Sequence, residues 1–346
     1  MAPADVAPAN RLGDPGGGWG ALWNGGAIAY TLGGYGGGLG LLLAPLLWQN
    51  ALGLLLLTHS LVYSAYLSHE FMHGTIFRRR WGLSARQLNA LGGTLMLWLN
   101  GGCYARFADL ARLHLAHHVD RVDYASDFPQ WLRRFPGPLF RGVLALEWLY
   151  IPAVDYLLHW RSALAPFTSA QRQEERSRAA GVLALRGVLF GLLGLLSWKA
   201  LLLYGVAYSA MLQILRLMDA FQHTYPVFGL GEAVPRYTAA DEQRNTFSNV
   251  ISLRWPRLNL LLLNFGYHNA HHHAMTCPWY RLPALDRQLF RGDEPHYMPL
   301  PRLLGNFHRF RLSRIFSDQG QALDAAGQQQ LETFYGAIGV SFLVLP

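Results

Sequence analysis

Charged side chains are scarce in this sequence. Asp, Glu, Lys and Arg make up 14% of its 346 residues, whereas hydrophobic residues make up 51%. Soluble domains carry about 25% charged residues, so the composition argues against an ordinary soluble domain and favours a protein built for lipid. The formal net charge is +8. No basic run is long and the arginines flank apolar segments, which disfavours nucleic-acid binding and favours contact with anionic lipid headgroups.

Cysteine is scarce as well, since the sequence contains Cys103 and Cys277 alone. Two thiols exclude a disulfide framework, a four-thiolate iron–sulfur cluster and a zinc ribbon, and they fit a reducing, cytoplasmic face. The glycine-rich run 33–40 lacks G-x-G-x-x-G spacing, so it is not a dinucleotide site. Residues 1–20 show no signal-peptide pattern, and their Ala, Pro and Gly content predicts a flexible tail.

Long apolar runs are the most prominent feature of the sequence. Four segments reach the about 20 residues needed to cross a bilayer, namely 23–47, 50–68, 180–198 and 200–219. Residues 48–50 alone separate the first two segments and residues 197–199 the last two, so the sequence predicts two tight hairpins. The first segment contains glycines four residues apart, which allow helix backbones to approach closely in lipid.

Two shorter apolar stretches, 88–103 and 141–160, are interrupted by glycine, proline or charged residues and are predicted to be re-entrant or interfacial. All the polar loops then share one face, and their arginines assign that face to the cytoplasm. The sequence therefore predicts an all-α membrane protein, with four transmembrane helices in two hairpins and a cytoplasmic histidine-rich helical cap. The predicted regions are a tail (1–20), a membrane-embedded domain (21–300) and a cytoplasmic C-terminal segment (301–346).

Most of the fourteen histidines are clustered along the chain. Positions three or four apart on a helix share a face, so each cluster can direct its imidazoles to one point. Burying so many polar rings near a bilayer is costly without partners, and we therefore predict a metal site. The clustered histidines are His69 and His73 of "HEFMH", His114, His117 and His118 of "HLAHH", His223 of "DAFQH", and His268, His271 and His272 of "HNAHH".

The first of these motifs has a second interpretation. "HEFMH" fits H-E-x-x-H, in which two histidines bind zinc and Glu70 acts as the base of a metalloprotease. A zinc protease needs three protein ligands and one open position, whereas nine histidines suit two metal ions. Imidazole binds zinc, copper, iron and nickel, so the ligand type alone does not select the metal. A zinc intramembrane protease remains an alternative at this point.

Acidic residues near the histidines have a predicted supporting role. Metal-bound histidines usually donate their second N–H to a carboxylate or carbonyl. Glu70 would then orient a histidine rather than act as a peptidase base. The same role is predicted, with a solvated loop face as the alternative, for Asp109, Asp120, Asp123, Asp127 and Asp219.

Together, the three boxes, the order of the spans and the isolated His223 resemble the membrane-bound fatty acid desaturase superfamily over about residues 50–290. The resemblance implies a non-haem centre of two Fe ions, held by the nine clustered histidines. Superfamily members with acyl substrates often carry Asn four residues before the isolated histidine, where this chain has Asp219. That departure implies either a direct carboxylate ligand or an ion pair with Arg216. "HLAHHVDRVDYASDFP" and "LNFGYHNAHHHAMTCPWYRLPAL" resemble a bacterial branch that includes fatty acid decarboxylases forming terminal alkenes.

The resemblance also implies a reaction and its partners. It implies O2-dependent attack on C–H bonds of a fatty acid or acyl thioester, with desaturation as the main expectation and decarboxylation or hydroxylation as alternatives. No flavin, haem or iron–sulfur motif is present, so a ferredoxin-like donor with its reductase would supply electrons and dock on the Arg-rich face. The implied location is a bacterial inner membrane, with the active site on the cytoplasmic face.

Arg216 is the last candidate site residue. It lies in the fourth span, one turn before Asp219. A charged residue at membrane depth is costly and usually functional, so we predict that Arg216 binds the carboxylate of a free fatty acid. A structural ion pair with Asp219, or extension of the side chain to the interface, are the alternatives.

Overall fold

Helices make up most of the computed structural model, which describes residues 18–124, 127–340 and 342–345. Residues 1–17 of the predicted tail (1–20) therefore lie outside the described residues. A short parallel pair joins β1 (Asp123–Tyr124) to β2 (Val227–Phe228). The α-helices are α1 (Gly18–Leu43), α2 (Leu47–Met72), α3 (Ala85–Asn100), α4 (Phe107–Asp120), α5 (Phe128–Arg133), α6 (Gly137–Trp148), α7 (Ala153–Thr168), α8 (Arg176–Leu196), α9 (Trp198–Ala220), α10 (Ala239–Arg244), α11 (His268–His273), α12 (Leu282–Leu289) and α13 (Leu300–Arg309).

Helices α1 and α2 form a closely packed hairpin. Glycines allow the close approach: a Cβ on Gly38 would lie 2.9 Å from the Leu57 nitrogen, and one on Gly53 would lie 2.8 Å from the Gly38 oxygen. The predicted turn at residues 48–50 is wrong, because the helix break lies at residues 44–46, where Pro45 cannot continue α1. Asn50 is instead inside α2, and its Nδ2 donates to the oxygens of Leu41 and Ala44 at 2.9 Å each.

Helices α8 and α9 form the second hairpin, with Ser197 alone between them. The Ser197 hydroxyl accepts a hydrogen bond from the Ala200 nitrogen at 3.1 Å and so begins α9. The two hairpins meet at their turns. Lys199 Nζ donates to the Ala44 oxygen and to Asn50 Oδ1, both at 2.8 Å. The open ends of both hairpins therefore point the same way, toward the clustered histidines.

In the described part of the chain, three helical segments are long and apolar enough to cross a membrane, namely Leu47–Met72, Ala170–Leu196 and Trp198–Ala220. The second of these includes a 3-10 turn (Ala170–Glu175) that leads into α8. The protein is thus a mostly helical, multi-pass membrane protein. Helix α1 has 26 residues and is rich in glycine, and it is not among these three segments.

The two shorter apolar stretches form helices of 16 residues or fewer, namely α3 and the pair α6–α7. Helix α3 begins at a capping box, in which the Ser84 hydroxyl accepts from the Gln87 nitrogen at 3.2 Å. It ends at Gly101, whose φ of 86° is a left-handed conformation that favours glycine. The chain then turns back through Gly102–Tyr104 into α4, which carries the second histidine box.

The C-terminal part of the chain covers the histidine end of the hairpins. Phe342 and Leu343 are buried in the main apolar core, together with residues of α2 and α9. The Ala337 nitrogen donates to the Ala220 oxygen at 2.8 Å, directly after α9. This part of the chain thus forms one side of the site. The domain boundary at residue 300 stays a prediction.

Candidate metal centre

Four chain segments bring the predicted histidines together. His69 and His73 lie on and just after the last turn of α2, the second box lies on α4, and the third box lies on the short helix α11. His223 follows α9 in an irregular segment. All nine clustered histidines meet at one buried place, where they divide into two groups. His273, which directly follows His272 in the sequence, is exposed.

The first set, called here the five-histidine group, consists of His69, His73, His114, His118 and His271. Each residue offers one nitrogen, and these nitrogens lie within 4.8 Å of one another. His73 Nε2 lies 2.8 Å from His114 Nε2, which lies 3.2 Å from His118 Nε2. Ligand nitrogens lie about 2 Å from a first-row metal ion, so opposite ligands lie about 4 Å apart. The group therefore has the spacing of one metal site.

The second set, called here the four-histidine group, consists of His117, His223, His268 and His272. Nitrogens of His117, His223 and His272 lie within 4.8 Å of one another. His268 joins them, because its Nε2 lies 2.8 Å from His223 Nε2. The two groups adjoin, since the His118 and His272 rings lie 4.2 Å apart. The arrangement is that of two neighbouring metal sites.

Two carboxylates orient histidines of the four-histidine group. His117 Nδ1 lies 3.0 Å from Asp123 Oδ1 and 2.9 Å from the Val122 oxygen. His272 Nδ1 lies 3.0 Å from Glu242 Oε1. Because carboxylates and carbonyls only accept hydrogen bonds, each Nδ1 carries the proton and each Nε2 presents its lone pair to the centre.

Both carboxylates are themselves held in place. Asp123 accepts a short hydrogen bond from Gln319 Nε2, in the C-terminal part of the chain. Glu242 Oε2 accepts from Arg121 Nε at 2.8 Å. Sequence reasoning found Asp123 but missed Glu242. The polar sequence of α10 resembles a solvated helix, and the residue lies thirty positions from its histidine, so no local signal identified it.

Glu70 also lies beside the centre. Its Oε1 is 3.5 Å from His69 Nδ1, and its Oε2 accepts from the Thr75 hydroxyl at 2.9 Å and the Trp279 nitrogen at 3.3 Å. These two bonds fix the carboxylate between α2 and the segment after the third box. This placement fits a positioning role better than that of a free base.

Three of the other acidic residues are placed differently from the prediction. Asp109 pairs with Arg112 at 2.6 Å and Asp127 with Arg161 at 2.5 Å. Asp120 accepts a short hydrogen bond from Tyr124. In each case a nearer cation or hydroxyl at the surface binds the carboxylate, so the prediction that these three residues orient histidines is wrong.

Burial keeps most of these imidazoles neutral. It is the main cause that lowers the pKa of His114, His118, His223, His268 and His272, and neighbouring imidazoles lower these values further. The pKa of His271 falls to about 3 for the same reasons. Burial also acts on His117, but the hydrogen bond and negative charge of Asp123 outweigh it and raise that pKa. Neutral imidazole is the form that binds a metal ion.

Buried ring nitrogens without hydrogen-bond partners indicate that the centre can bind metal ions. Buried nitrogens without a hydrogen-bond partner among the described residues include both ring nitrogens of His69 and of His271, and Nε2 of His272. Buried polar atoms normally have a partner, and a bound ion is a common reason when protein atoms supply none. Each neutral imidazole has one lone pair, so a pair of first-row metal ions in the two groups would engage one nitrogen of each of these rings.

A cavity of about 410 Å³ opens beside both groups. His114 lines it from the five-histidine group, and His117 and His223 line it from the four-histidine group. Asp219 also lines this cavity. The rest of its lining is largely apolar and includes Phe128, Leu158, Ile338 and Val340. Imidazole rings of both groups and an apolar surface therefore line the same cavity.

Arg216 lies below this centre in α9 and is 3% exposed. Its Nη1 donates to Glu147 Oε2 at 2.9 Å, and its Nε lies within ion-pair distance of Asp155 Oδ2, at 3.1 Å. The two carboxylates come from α6 and α7, which sequence reasoning did not connect with Arg216. They compensate the buried guanidinium charge. Binding of a substrate carboxylate by Arg216 stays a prediction.

Comparison with known protein families gives one match. The family described as fatty acid desaturase matches residues 46–303, which is well over half of the chain. The matched region contains all nine clustered histidines and both carboxylates that orient them. A search of curated proteins returned no match.

Proposed function

Since the chain belongs to the fatty acid desaturase family, an oxidoreductase family, we propose that it is an O2-dependent di-iron oxidase of fatty acyl chains, with desaturation as its reaction. The observation that carries this proposal is the meeting of nine buried or partly buried imidazoles in two adjoining groups. That number exceeds the three protein ligands of a catalytic zinc site. The zinc protease is therefore the weaker interpretation of "HEFMH".

Different residues of this chain would bind the metal ions and orient the ligands. The five-histidine group and the four-histidine group would each hold one iron ion, and Asp123, Glu242 and Glu70 would keep the imidazoles in the correct tautomer and orientation. The bound irons, with O2 and external electrons, supply the oxidant for an unactivated C–H bond. The burial of the imidazoles excludes water from their neighbourhood.

The cavity beside the histidines is the proposed place of the acyl chain. Its apolar wall would bind methylene groups, and its volume of about 410 Å³ falls in the range of about 300–1,000 Å³ that is usual for ligand sites. The carbon that lies against His117 and His223 would be the one that reacts. We propose that Asp219, at the same wall, either binds a metal ion directly or orients a water molecule there.

We further propose that α1 is a fourth transmembrane helix. It packs along the whole of α2, and its first turns reach the histidine end, where Asn24 Nδ2 donates to the Ile76 oxygen at 3.1 Å. A helix of 26 residues is about 39 Å long, which is enough to cross a bilayer. Lys199 and the exposed Trp48 and Trp198 would mark the opposite interface.

The proposed orientation places the histidine end in the cytoplasm of a bacterial cell. Exposed arginines lie at that end, among them Arg79 and Arg80 in the α2–α3 loop, Arg86 in the first turn of α3, and Arg254 and Arg257 before the third box. Such a surface attracts an acidic partner and increases its rate of association. A ferredoxin-like electron donor with its reductase fits this requirement.

Two measurements test the proposal. Elemental analysis of protein expressed with iron is expected to show about two irons per chain, and a single zinc with no iron would contradict it. The iron-loaded protein is then incubated with O2, a reductase system and a set of fatty acids or acyl thioesters, and the products are identified by mass spectrometry. An internal alkene is expected, whereas a terminal alkene with CO2, or an alcohol, would assign a different reaction to the same centre. Peptide cleavage without O2 would support the protease.

A further inference from the structure

A second cavity, here called the membrane cavity, lies within the helical hairpin region. Its volume is about 440 Å³, and residues of α7, α8 and α9 form most of its lining. None of the nine clustered histidines lines it. The wall is largely aromatic and aliphatic, and it includes Trp160, Phe190 and Leu201. Four tyrosines add hydroxyl groups to this wall, namely Tyr104, Tyr156, Tyr204 and Tyr208.

Arg186 brings a positive charge to the membrane cavity. It lies at the midpoint of α8, about 15 Å from either end of that helix, and is 8% exposed. No carboxylate among residues 18–124, 127–340 and 342–345 lies within ion-pair distance of its guanidinium. A buried charge at membrane depth is costly and normally has a partner of opposite charge. Arg216, in the neighbouring helix, has two such partners.

The known contacts of Arg186 use only part of its guanidinium. Nη1 donates to the Trp98 oxygen at 2.9 Å and lies 3.6 Å from Cys103 Sγ. These contacts cap the carboxyl end of α3, which is a structural role. Nε is buried and has no hydrogen-bond partner in the described part of the chain. The rings of Phe190 and Tyr104 flank the guanidinium at 5.1 Å and 5.8 Å.

We propose that the membrane cavity binds the carboxylate end of a single-chain fatty acid, with the carboxylate against Arg186 and the chain between α7, α8 and α9. A carboxylate supplies the missing negative charge and accepts hydrogen bonds from a guanidinium in a planar, two-point geometry. The tyrosine hydroxyls provide further donors, and the apolar wall accepts methylene groups. A single chain suits a volume of about 440 Å³ better than the two chains of a phospholipid.

This site is distinct from the histidine centre and from Arg216. The inference rests on the proposed function only for the choice of a fatty acid as the probe. A fatty acid bound here would be additional to the acyl chain at the histidine centre. Binding at this site requires no metal. It can therefore be tested in the metal-free protein, independently of turnover.

The test is photolabelling of the metal-free full-length protein with a fatty acid that carries a diazirine next to its carboxylate. Peptide mass spectrometry is expected to place the label on α9 near Tyr204 and Tyr208. Arg186→Gln should lower this labelling by about tenfold or more, since a charge-assisted hydrogen bond is lost. Arg186→Lys keeps the charge and should restore part of the labelling.

A second variant separates binding from the structural role of Arg186. A Cβ added to Gly205 meets no atom within 4 Å, and Gly205 lines the membrane cavity, so Gly205→Leu fills the space without disturbing α3. It should also abolish most of the labelling. Gly191→Leu is its matched control, because Gly191 is equally open but does not line the cavity. Arg178→Gln controls for Arg186→Gln, since Arg178 donates to the oxygens of Cys103 and Tyr104 from the same helix.

Three results would overturn the proposal: labelling that survives Gly205→Leu, equal labelling by the methyl ester of the probe, or competition by phosphatidylglycerol or inorganic phosphate but not by unlabelled fatty acid. The iron-loaded protein is assayed for turnover in parallel. Intact labelling without oxidation would contradict the proposed function alone. Oxidation without labelling of the membrane cavity would contradict this inference alone.

Discussion

Replacement of Glu242 by glutamine tests how the protein holds its metal ligands. Glu242 is buried and accepts two hydrogen bonds, one on each oxygen, from His272 Nδ1 at 3.0 Å and Arg121 Nε at 2.8 Å. Glutamine has nearly the same shape but offers one acceptor and one donor group. One of the two partners therefore faces an N–H instead of an oxygen. If that partner is His272, its tautomer is no longer fixed and its Nε2 lone pair is no longer directed at the four-histidine group.

The expected size of this effect is a 10–100-fold loss of metal affinity, about 1.4–2.7 kcal/mol, which is usual when the outer partner of a metal-bound histidine is lost. Competition between the protein and a chromogenic chelator measures the affinity. Glu232→Gln is the matched control, because Glu232 lies in an exposed loop where its carboxylate accepts from the Gly229 nitrogen. The melting temperature of the metal-free variants shows whether folding is preserved. Equal metal affinity in Glu242→Gln, Glu232→Gln and the wild type would refute the positioning role.

Three further variants test other parts of the structure. His118→Ala should abolish turnover and lower the bound iron, whereas His308→Ala, outside both histidine groups, should do neither; elemental analysis and product yield decide this. Gly38→Ala should destabilise the α1–α2 hairpin by about 1–3 kcal/mol through overpacking, whereas Gly36→Ala, which meets no atom within 4 Å, should not, as measured by thermal unfolding in detergent. Arg216→Gln should raise the half-saturating concentration of free fatty acid by about tenfold or more relative to its methyl ester. Equal shifts for acid and ester would assign the residue a structural role.

The sequence was sufficient to predict the histidine centre and the helical hairpins because both leave local patterns. Spacings of three and four residues place imidazoles on one helix face, and long apolar runs indicate spans. The predicted hairpin turn at residues 48–50 differs by a few residues from the observed turn at 44–46, since apolar side chains continue on both sides of Pro45. The predicted spans are nevertheless close to the helices that form.

The partners of buried charges could not be predicted, because they depend on contacts between distant segments. Arg216 meets Glu147 and Asp155, which lie more than fifty residues earlier in the chain. Asp219, only one turn away, was the only partner that helical spacing could suggest. Glu242 was missed for the same reason. Local periodicity shows which residues share a face but not which faces meet across the fold.

The composition of the centre has a consequence for the order of assembly. Its ligands come from α2, α4, the segment after α9 and α11, so they enter the growing chain over some two hundred positions. Both hairpins are synthesised before the third histidine box, and neither histidine group is complete until that box has been made. Contacts between such distant segments form slowly, because the entropy of closing large loops opposes them. Until then, the histidines near the hairpins form an incomplete set of ligands. Metal ions can be fully coordinated only after the third histidine box has been synthesised and has folded against the hairpins.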